Sequence, residues 1–199
     1  FKYIAEKIRL FEGVKTFIGG GEESYGYLVG DAVRDKDAVV SCCMLAETAA
    51  WAKDQGLTMY ELLINIYQEY GFYLEDLISI TKKGKSGAEE IQQMMQDYRN
   101  NPPKTINGMK VVLIKDYKFQ KETNLSTGTE TPIDLPKSDV LQFFLESGSK
   151  ITVRPSGTEP KIKFYFGVKG QLHDKSDFET VNREMADQLQ EIITSMGLR

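Results

Sequence analysis

The sequence predicts an α/β unit followed by an α+β unit built on a small antiparallel sheet with helices, and three observations carry that prediction. Up to about residue 100 the apolar positions recur mostly at helical spacing, interrupted by one glycine-rich segment, Gly19-Gly20-Gly21-Glu22-Glu23-Ser24-Tyr25-Gly26. Beyond Asn100-Asn101-Pro102-Pro103 the pattern changes to the two-residue alternation of strands, and that Asn/Pro stretch is itself hostile to helix. The 199 residues suffice for one large domain or two small ones, and 41% hydrophobic against 27% charged residues is the balance of a folded chain, which excludes a disordered or fibrous one. The expected division places one domain at residues 1–101, with a helical connection, and a second at 102–199.

Each element follows from local chemistry. Phe1, Ile4, Ile8 and Phe11 form one stripe of an amphipathic helix, so the chain opens inside a periodic pattern, as a segment cut from a longer chain would. Residues 15–18 read as a short strand leading into the glycine-rich loop. Asp37 is placed to cap a helix through Gln55 that stops at Gly56, and Thr58-Met59-Tyr60-Glu61 has the form of a capping box for a helix ending at Gly71. The expected buried faces are Val39, Val40, Cys43, Leu62, Leu63 and Ile66. Residues 73–81 lean to strand, and Ser86-Gly87-Ala88-Glu89 reads as a capping box for a helix that must end before the prolines. Strands are expected at 110–115, 140–146, 150–154 and 161–168, with a turn at 147–149. The polar stretch 117–137 reads as a long loop or irregular hairpin. A third capping box, Ser176-Asp177-Phe178-Glu179, opens a last helix whose Phe178, Val181, Met185, Leu189 and Ile192 can cover one face of the sheet.

Composition narrows the function classes. With 25 Lys+Arg against 29 Asp+Glu and a net charge of -4, the chain lacks the broad basic field that a phosphate backbone requires, so nucleic acid is not an expected partner. The best apolar stretch, residues 38–52, is too short for a bilayer and carries Glu47, so no membrane anchor is expected. Cys42 and Cys43 are adjacent, which suits neither a disulfide framework nor a CxxC metal pair and points to a reducing cytoplasm. In such a compartment the sequon Asn124-Leu125-Ser126 has no meaning. His173 is the only histidine, leaving little material for a His-based triad or zinc site, and a surface loop is its expected place. Gly84-Lys85-Ser86 resembles the end of a Walker A loop, but Ser79 stands where the earlier glycine is required, and a helix start is the better reading.

Two segments carry chemistry. Arg154-Pro155-Ser156-Gly157-Thr158-Glu159-Pro160-Lys161 lies between two strands and has what a phosphate cradle needs: a guanidinium fork, two hydroxyl donors, and a glycine where backbone N–H groups can be approached closely. Period two then puts Lys161, Lys163 and Tyr165 on one face of the following strand and Ile162, Phe164 and Phe166 on the other, so a second cation can face the same place. The same residues could instead only close a tight turn with a surface ion pair. Gly21-Glu22-Glu23-Ser24-Tyr25-Gly26 offers carboxylates and a hydroxyl beside glycines, a set suited to sugar hydroxyls, although an acidic helix cap with a glycine turn would look alike. Neighbouring carboxylates such as Glu22 and Glu23 point apart in most conformations, so a shared acid/base role at one bond is not expected. Lys36 reads on its own as a solvated charge.

Taken together, the two segments resemble those of the α-D-phosphohexomutases, the phosphoglucomutase and phosphomannomutase family, and the resemblance runs over essentially the whole chain. It implies the carboxy-terminal half of such an enzyme: a truncated α/β third mutase domain carrying the sugar-binding loop, then a small antiparallel sheet domain with helices, similar to the TATA-binding protein, carrying the phosphate-binding loop. By that resemblance Glu22, Glu23 and Ser24 hold sugar hydroxyls, with Lys36 near the substrate or assisting proton transfer, while Arg154, Ser156, Gly157 and Thr158 hold the non-transferred phosphate with Lys163 beside it. The implied reaction interconverts hexose 1-phosphate and hexose 6-phosphate through a phosphoserine and a bisphosphate, with glucose 1,6-bisphosphate as activator. The complete Glu-Glu-Ser-Tyr-Gly form leans toward phosphoglucomutase. The family's Ser-His-Asn-Pro donor and its Asp-Gly-Asp-x-Asp-Arg magnesium loop have no counterpart in these 199 residues. The resemblance therefore implies that magnesium and the phosphoryl donor belong to the rest of the polypeptide, the expected partner beside the hexose phosphate, and that the segment alone is inactive. The competing reading is a non-enzymatic module that binds phosphosugars or phosphate through the Arg154 loop.

Overall fold

In the computed structural model, which describes residues 1–22 and 26–198, the first of two units, Phe1–Ile64, is organised around an antiparallel hairpin. Helix α1, Lys2–Leu10, precedes strands β1, Gly19–Glu22, and β2, Gly26–Val29, and helix α2, Ala38–Asp54, follows them. The expected strand at 15–18 is not formed. The glycines themselves make β1, pairing Gly19 with Val29, Gly20 with Leu28, Gly21 with Tyr27 and Glu22 with Gly26. Ile18, the residue that suggested a buried strand, is 83% exposed. Missing side chains give the hairpin its packing: a Cβ on Gly20 would touch Ile4, and one on Gly26 would lie 2.5 Å from the Phe1 ring.

Helix α2 begins where Asp37 was placed, its carboxylate accepting from the N–H groups of Val39 at 2.9 Å and Val40 at 3.1 Å. Helix α3, Met59–Tyr70, begins with a reciprocal capping box: Glu61 donates its N–H to Thr58 Oγ1 at 3.1 Å, and Thr58 donates its N–H to Glu61 Oε2 at 2.7 Å. The expected buried faces are corrected. Val39, Cys43, Leu63 and Ile66 are exposed, Val40 and Leu62 are half-buried, and the buried positions are Ala52 and Ile64. Helix α2 is apolar nearly all round, so its sequence does not single out one inward face, and the two-stranded hairpin covers little of it.

The second unit, Asn65–Arg199, is an antiparallel sheet with helices on one face. Its strands are β3, Phe72–Thr81; β4, Thr105–Ile106; β5, Met109–Asp116; β6, Lys121–Asn124; β7, Glu130–Pro132; β8, Leu141–Leu145; β9, Lys150–Pro155; and β10, Lys161–Gly170. They pair in the order β3-β10-β9-β8-β5-β6-β7, with β4 attached to β5. Strand β3 pairs along its whole length with β10, from Phe72 opposite Gly170 to Thr81 opposite Lys161. The Asn100-Asn101-Pro102-Pro103 stretch thus lies within this unit, and the chain divides between Ile64 and Asn65.

Alternation decides the two faces. Ile162, Phe164, Phe166 and Val168 of β10, Ile151 and Val153 of β9, and Leu141, Phe143 and Leu145 of β8 are buried, against helices α4, Gly84–Asn100, and α5, Phe178–Ser195. Helix α4 contributes Ile91 and Met95, and α5 contributes Met185, Leu189, Ile192 and Ile193. Tyr98 packs near Phe143 and Phe164 with ring centroids 5.9 and 6.2 Å away, and burial pushes its phenol above the ordinary tyrosine range.

Two capping readings are corrected. Helix α4 starts at Gly84 with no side-chain cap, so Ser86 lies inside the first turn; that turn is seated instead by Gly87, where a Cβ would fall 2.6 Å from Lys82 Cβ. Ahead of α5, Asp174 and not Ser176 is the capping side chain: its Oδ1 accepts from the Ser176 N–H at 2.8 Å and closes a short 3-10 turn, Lys175–Asp177. The polar stretch 117–137 resolves into β6 and β7, joined by a turn in which Asn124 Oδ1 accepts from the N–H groups of Ser126 at 2.9 Å and Thr127 at 3.1 Å. Strand β4, absent from the sequence reading, is held by an Asn107-Gly108 turn with both residues at positive φ.

Candidate functional site

The segment between Arg154 and Lys161 is the connection of the β9–β10 hairpin, and the ladder on either side fixes its ends. Val153 pairs with Phe164, Arg154 with Lys163, and Pro155 with Ile162. Because Val153 and Phe164 point into the core, Arg154 and Lys163 stand side by side on the opposite, helix-free face. Lys163 has a second neighbour, Ser79 of β3. Among the described residues, no hydrogen bond or ion pair engages the Arg154 guanidinium or the Lys163 ammonium.

The loop is closed by its own backbone. Ser156 donates its N–H to Lys161 O at 2.7 Å and Lys161 returns one to Glu159 O at 2.8 Å, while Pro160 O accepts from the Lys82 N–H at 2.9 Å and ties the loop to the approach to α4. Ser156 Oγ accepts long contacts from the N–H groups of Thr158 at 3.4 Å and Glu159 at 3.3 Å. Gly157 is not in the left-handed region, and a Cβ there would meet nothing within 4 Å, so neither backbone strain nor packing asks for glycine. The loop borders a groove of about 540 Å³ whose walls include Gly84 and Ala88 of α4, Asp139, Ser156, Gly157 and Thr158. Cations in a row, two hydroxyls and an unobstructed glycine are a donor set for an anion with several oxygens.

The structure therefore pairs Arg154 with Lys163 on the helix-free face and sets Ser156, Gly157 and Thr158 beside the groove along α4. Asp139 and the first turn of α4 were missed. The Gly84-Lys85-Ser86 turn had drawn notice only as a failed nucleotide motif, and nothing local marks Asp139; its position follows from the β8–β9 pairing that sets Leu141 opposite Val153.

In the first unit, Glu22 ends β1 opposite Gly26 and is exposed. Lys36 is at the same end of the hairpin: its Cβ lies 3.0 Å from where a Gly26 Cβ would be, and its ammonium is 5.2 Å from the Phe1 ring centroid and 3.4 Å from Asp35 Oδ1. The Lys36 backbone N–H, and then its ammonium, hold the Asp35 carboxyl below the ordinary range. Glu23 and Ser24 lie outside the described residues. His173 is exposed in a loop, where its carbonyl accepts from Gln68 Nε2 at 2.7 Å. Among the described residues, no group of three or more His, Cys, Asp or Glu could hold a metal ion, and no helix is long and apolar enough to cross a membrane.

Two family models match this chain: "Phosphoglucomutase/phosphomannomutase, alpha/beta/alpha domain III" over residues 1–70, and "Phosphoglucomutase/phosphomannomutase, C-terminal domain" over residues 84–188. The chain belongs to the phosphoglucomutase/phosphomannomutase family. A phosphoglucomutase of Staphylococcus haemolyticus is 36% identical over 93% of the chain and 33% of its own length. One from Staphylococcus aureus is 41% identical over 85% of the chain and 30% of its own. The chain thus spans about a third of the length of these relatives. Among solved structures, the open form of pp63/parafusin, a phosphoglucomutase from Paramecium, superposes with a TM-score of 0.53 at 18% identity, covering 89% of this chain and 30% of that one. That likeness speaks to fold alone and, with the family models, fits an α/β domain followed by a sheet domain.

Proposed function

We propose that this chain supplies the substrate grips of a phosphohexomutase, with phosphoglucomutase the favoured activity, and that the Arg154 loop holds the phosphate not being transferred. The observation that carries the reading is the pairing of Arg154 with Lys163 on one open face beside Ser156, Gly157 and Thr158. A guanidinium fork and an ammonium neutralise a dianionic phosphate, while the hydroxyls and the N–H groups around Gly157 orient its oxygens. Glu22, Glu23 and Ser24 accept from and donate to hydroxyls between the two ends of the sugar, with Lys36 beside them. A bisphosphate that exchanges its ends between turnovers presents either phosphate to the same cations, so one cradle serves both half-reactions. Among the described residues no group of three or more His, Cys, Asp or Glu could hold a metal ion, and no step is assigned to magnesium here. On this reading the phosphoryl donor and the magnesium loop belong to other parts of the polypeptide, and the segment alone does not turn over.

The test is the complete polypeptide carrying Arg154→Lys, assayed with glucose 1-phosphate, catalytic glucose 1,6-bisphosphate and magnesium. Lysine keeps the charge and loses the two-oxygen fork. A charge-assisted hydrogen bond is worth about 1.5 to 3 kcal/mol, so kcat/KM should fall roughly tenfold to a hundredfold. An unchanged kcat/KM, or turnover by the 199-residue segment alone, contradicts the reading.

A further inference from the structure

Arg99, in the last turn of α4, has a side chain only 8% exposed and spans two carboxylates. Its Nε donates to Asp116 Oδ2 at 3.0 Å, and its Nη2 donates to Asp139 Oδ1. The two acids differ in surroundings. Asp116, 15% exposed at the end of β5, also accepts from the N–H groups of Lys118 at 3.0 Å and Phe119 at 3.4 Å, so its place is set by its own turn. Asp139, 42% exposed, lies just ahead of β8 and borders the groove shared with Ser156, Gly157 and Thr158. A carboxylate there repels a phosphate approaching Ser156, Gly157 and Thr158 unless it is held and countered.

Resting on the phosphate-loop reading, we infer that Arg99 is a positioning residue for the anion site: it binds Asp139 on the α4 side of the groove and offsets its charge, so that the groove side of Ser156, Gly157 and Thr158 does not repel phosphate. The charge count makes this specific. Asp116, Arg99 and Asp139 together carry -1; Arg99→Met makes the cluster -2, Asp139→Asn makes it neutral, and the two changes together return it to -1. Repulsion therefore ranks the variants in a way that loss of packing at α4 would not. Asp139→Asn should bind phosphate more tightly than wild type, Arg99→Met more weakly, and the double variant should match wild type.

The experiment is titration of the 199-residue chain with inorganic phosphate, followed by amide NMR shifts at Ser156, Gly157 and Thr158. The expected result is roughly threefold tighter binding for Asp139→Asn, roughly threefold to tenfold weaker binding for Arg99→Met, and a double variant within about twofold of wild type. An Asp139→Asn affinity equal to or weaker than wild type overturns the inference, as does a double variant as weak as Arg99→Met. Should Arg99→Met fail to fold, Asp139→Asn decides alone, since Asp139 is partly exposed and Arg99 keeps Asp116. Absence of any wild-type shift at these amides sinks the phosphate-loop reading and the inference with it; a wild-type response unmoved by Asp139→Asn sinks the inference alone.

Discussion

Gly87 and Gly157 are both small residues in the phosphate-loop unit, yet a Cβ at Gly87 would lie 2.6 Å from Lys82 Cβ and 2.8 Å from Lys82 backbone, whereas one at Gly157 would meet nothing within 4 Å. The first position is needed by the fold and the second is left open. Gly87→Ala should therefore cost about 1 to 3 kcal/mol of stability by overpacking, while Gly157→Ala should stay within about 0.5 kcal/mol of wild type in urea unfolding. The same Gly157→Ala change should weaken phosphate binding, because the methyl fills the approach to the backbone N–H groups. Equal phosphate affinity would make Gly157 an ordinary turn residue. At the other grip, Glu22→Gln keeps the shape and removes the charge of an acceptor, so kcat/KM of the complete polypeptide should fall roughly tenfold to a hundredfold. Wild-type kinetics on both glucose and mannose phosphates would return Glu22 to a role in the hairpin.

Among the elements, helix ends give the sharpest check on local chemistry. Asp174 holds the turn before α5 through the Ser176 N–H and then the Ser176 hydroxyl, and these hydrogen bonds lower its carboxyl below the ordinary value of 3.8. A depressed folded pKa means stability that is present above the unfolded value and lost as pH falls through the folded one. NMR titration of the Asp174 carboxyl should give a midpoint under 3.8, and Ser176→Ala, which removes one of its donors, should move that midpoint upward. The capping patterns themselves were unequally legible. Asp37 and Thr58 through Glu61 were read correctly because their hydrogen bonds are local. Ser86 misled because α4 already starts at Gly84 without a side-chain cap and Gly87 seats its first turn against Lys82, a close local approach that no capping pattern encodes. The alternation of β10 was plain, since each buried residue is followed by a less buried one. Strand β1 was hidden because its glycines have no side chains to alternate.

For the whole molecule, the candidate phosphate loop was legible as a cluster because its residues are close in sequence and a single hairpin joins them, whereas Asp139 and Arg99 come to its groove from a preceding strand's approach and a helix end. The apolar surface of α2 was legible as composition but not as burial, because what a helix buries depends on what packs on it. The residues proposed as grips fall in separate units, Glu22 and Lys36 in the first and Arg154 and Lys163 in the second. Phosphate is expected to go to the second. The most direct measurement is an amide NMR titration of the 199-residue chain with inorganic phosphate, repeated on Arg154→Lys. The predicted result is a saturable shift confined to Arg154, Ser156, Gly157, Thr158 and Lys163, weakened severalfold in the variant. Shifts that cluster elsewhere, or an Arg154→Lys titration identical to wild type, would contradict it and leave the loop a turn.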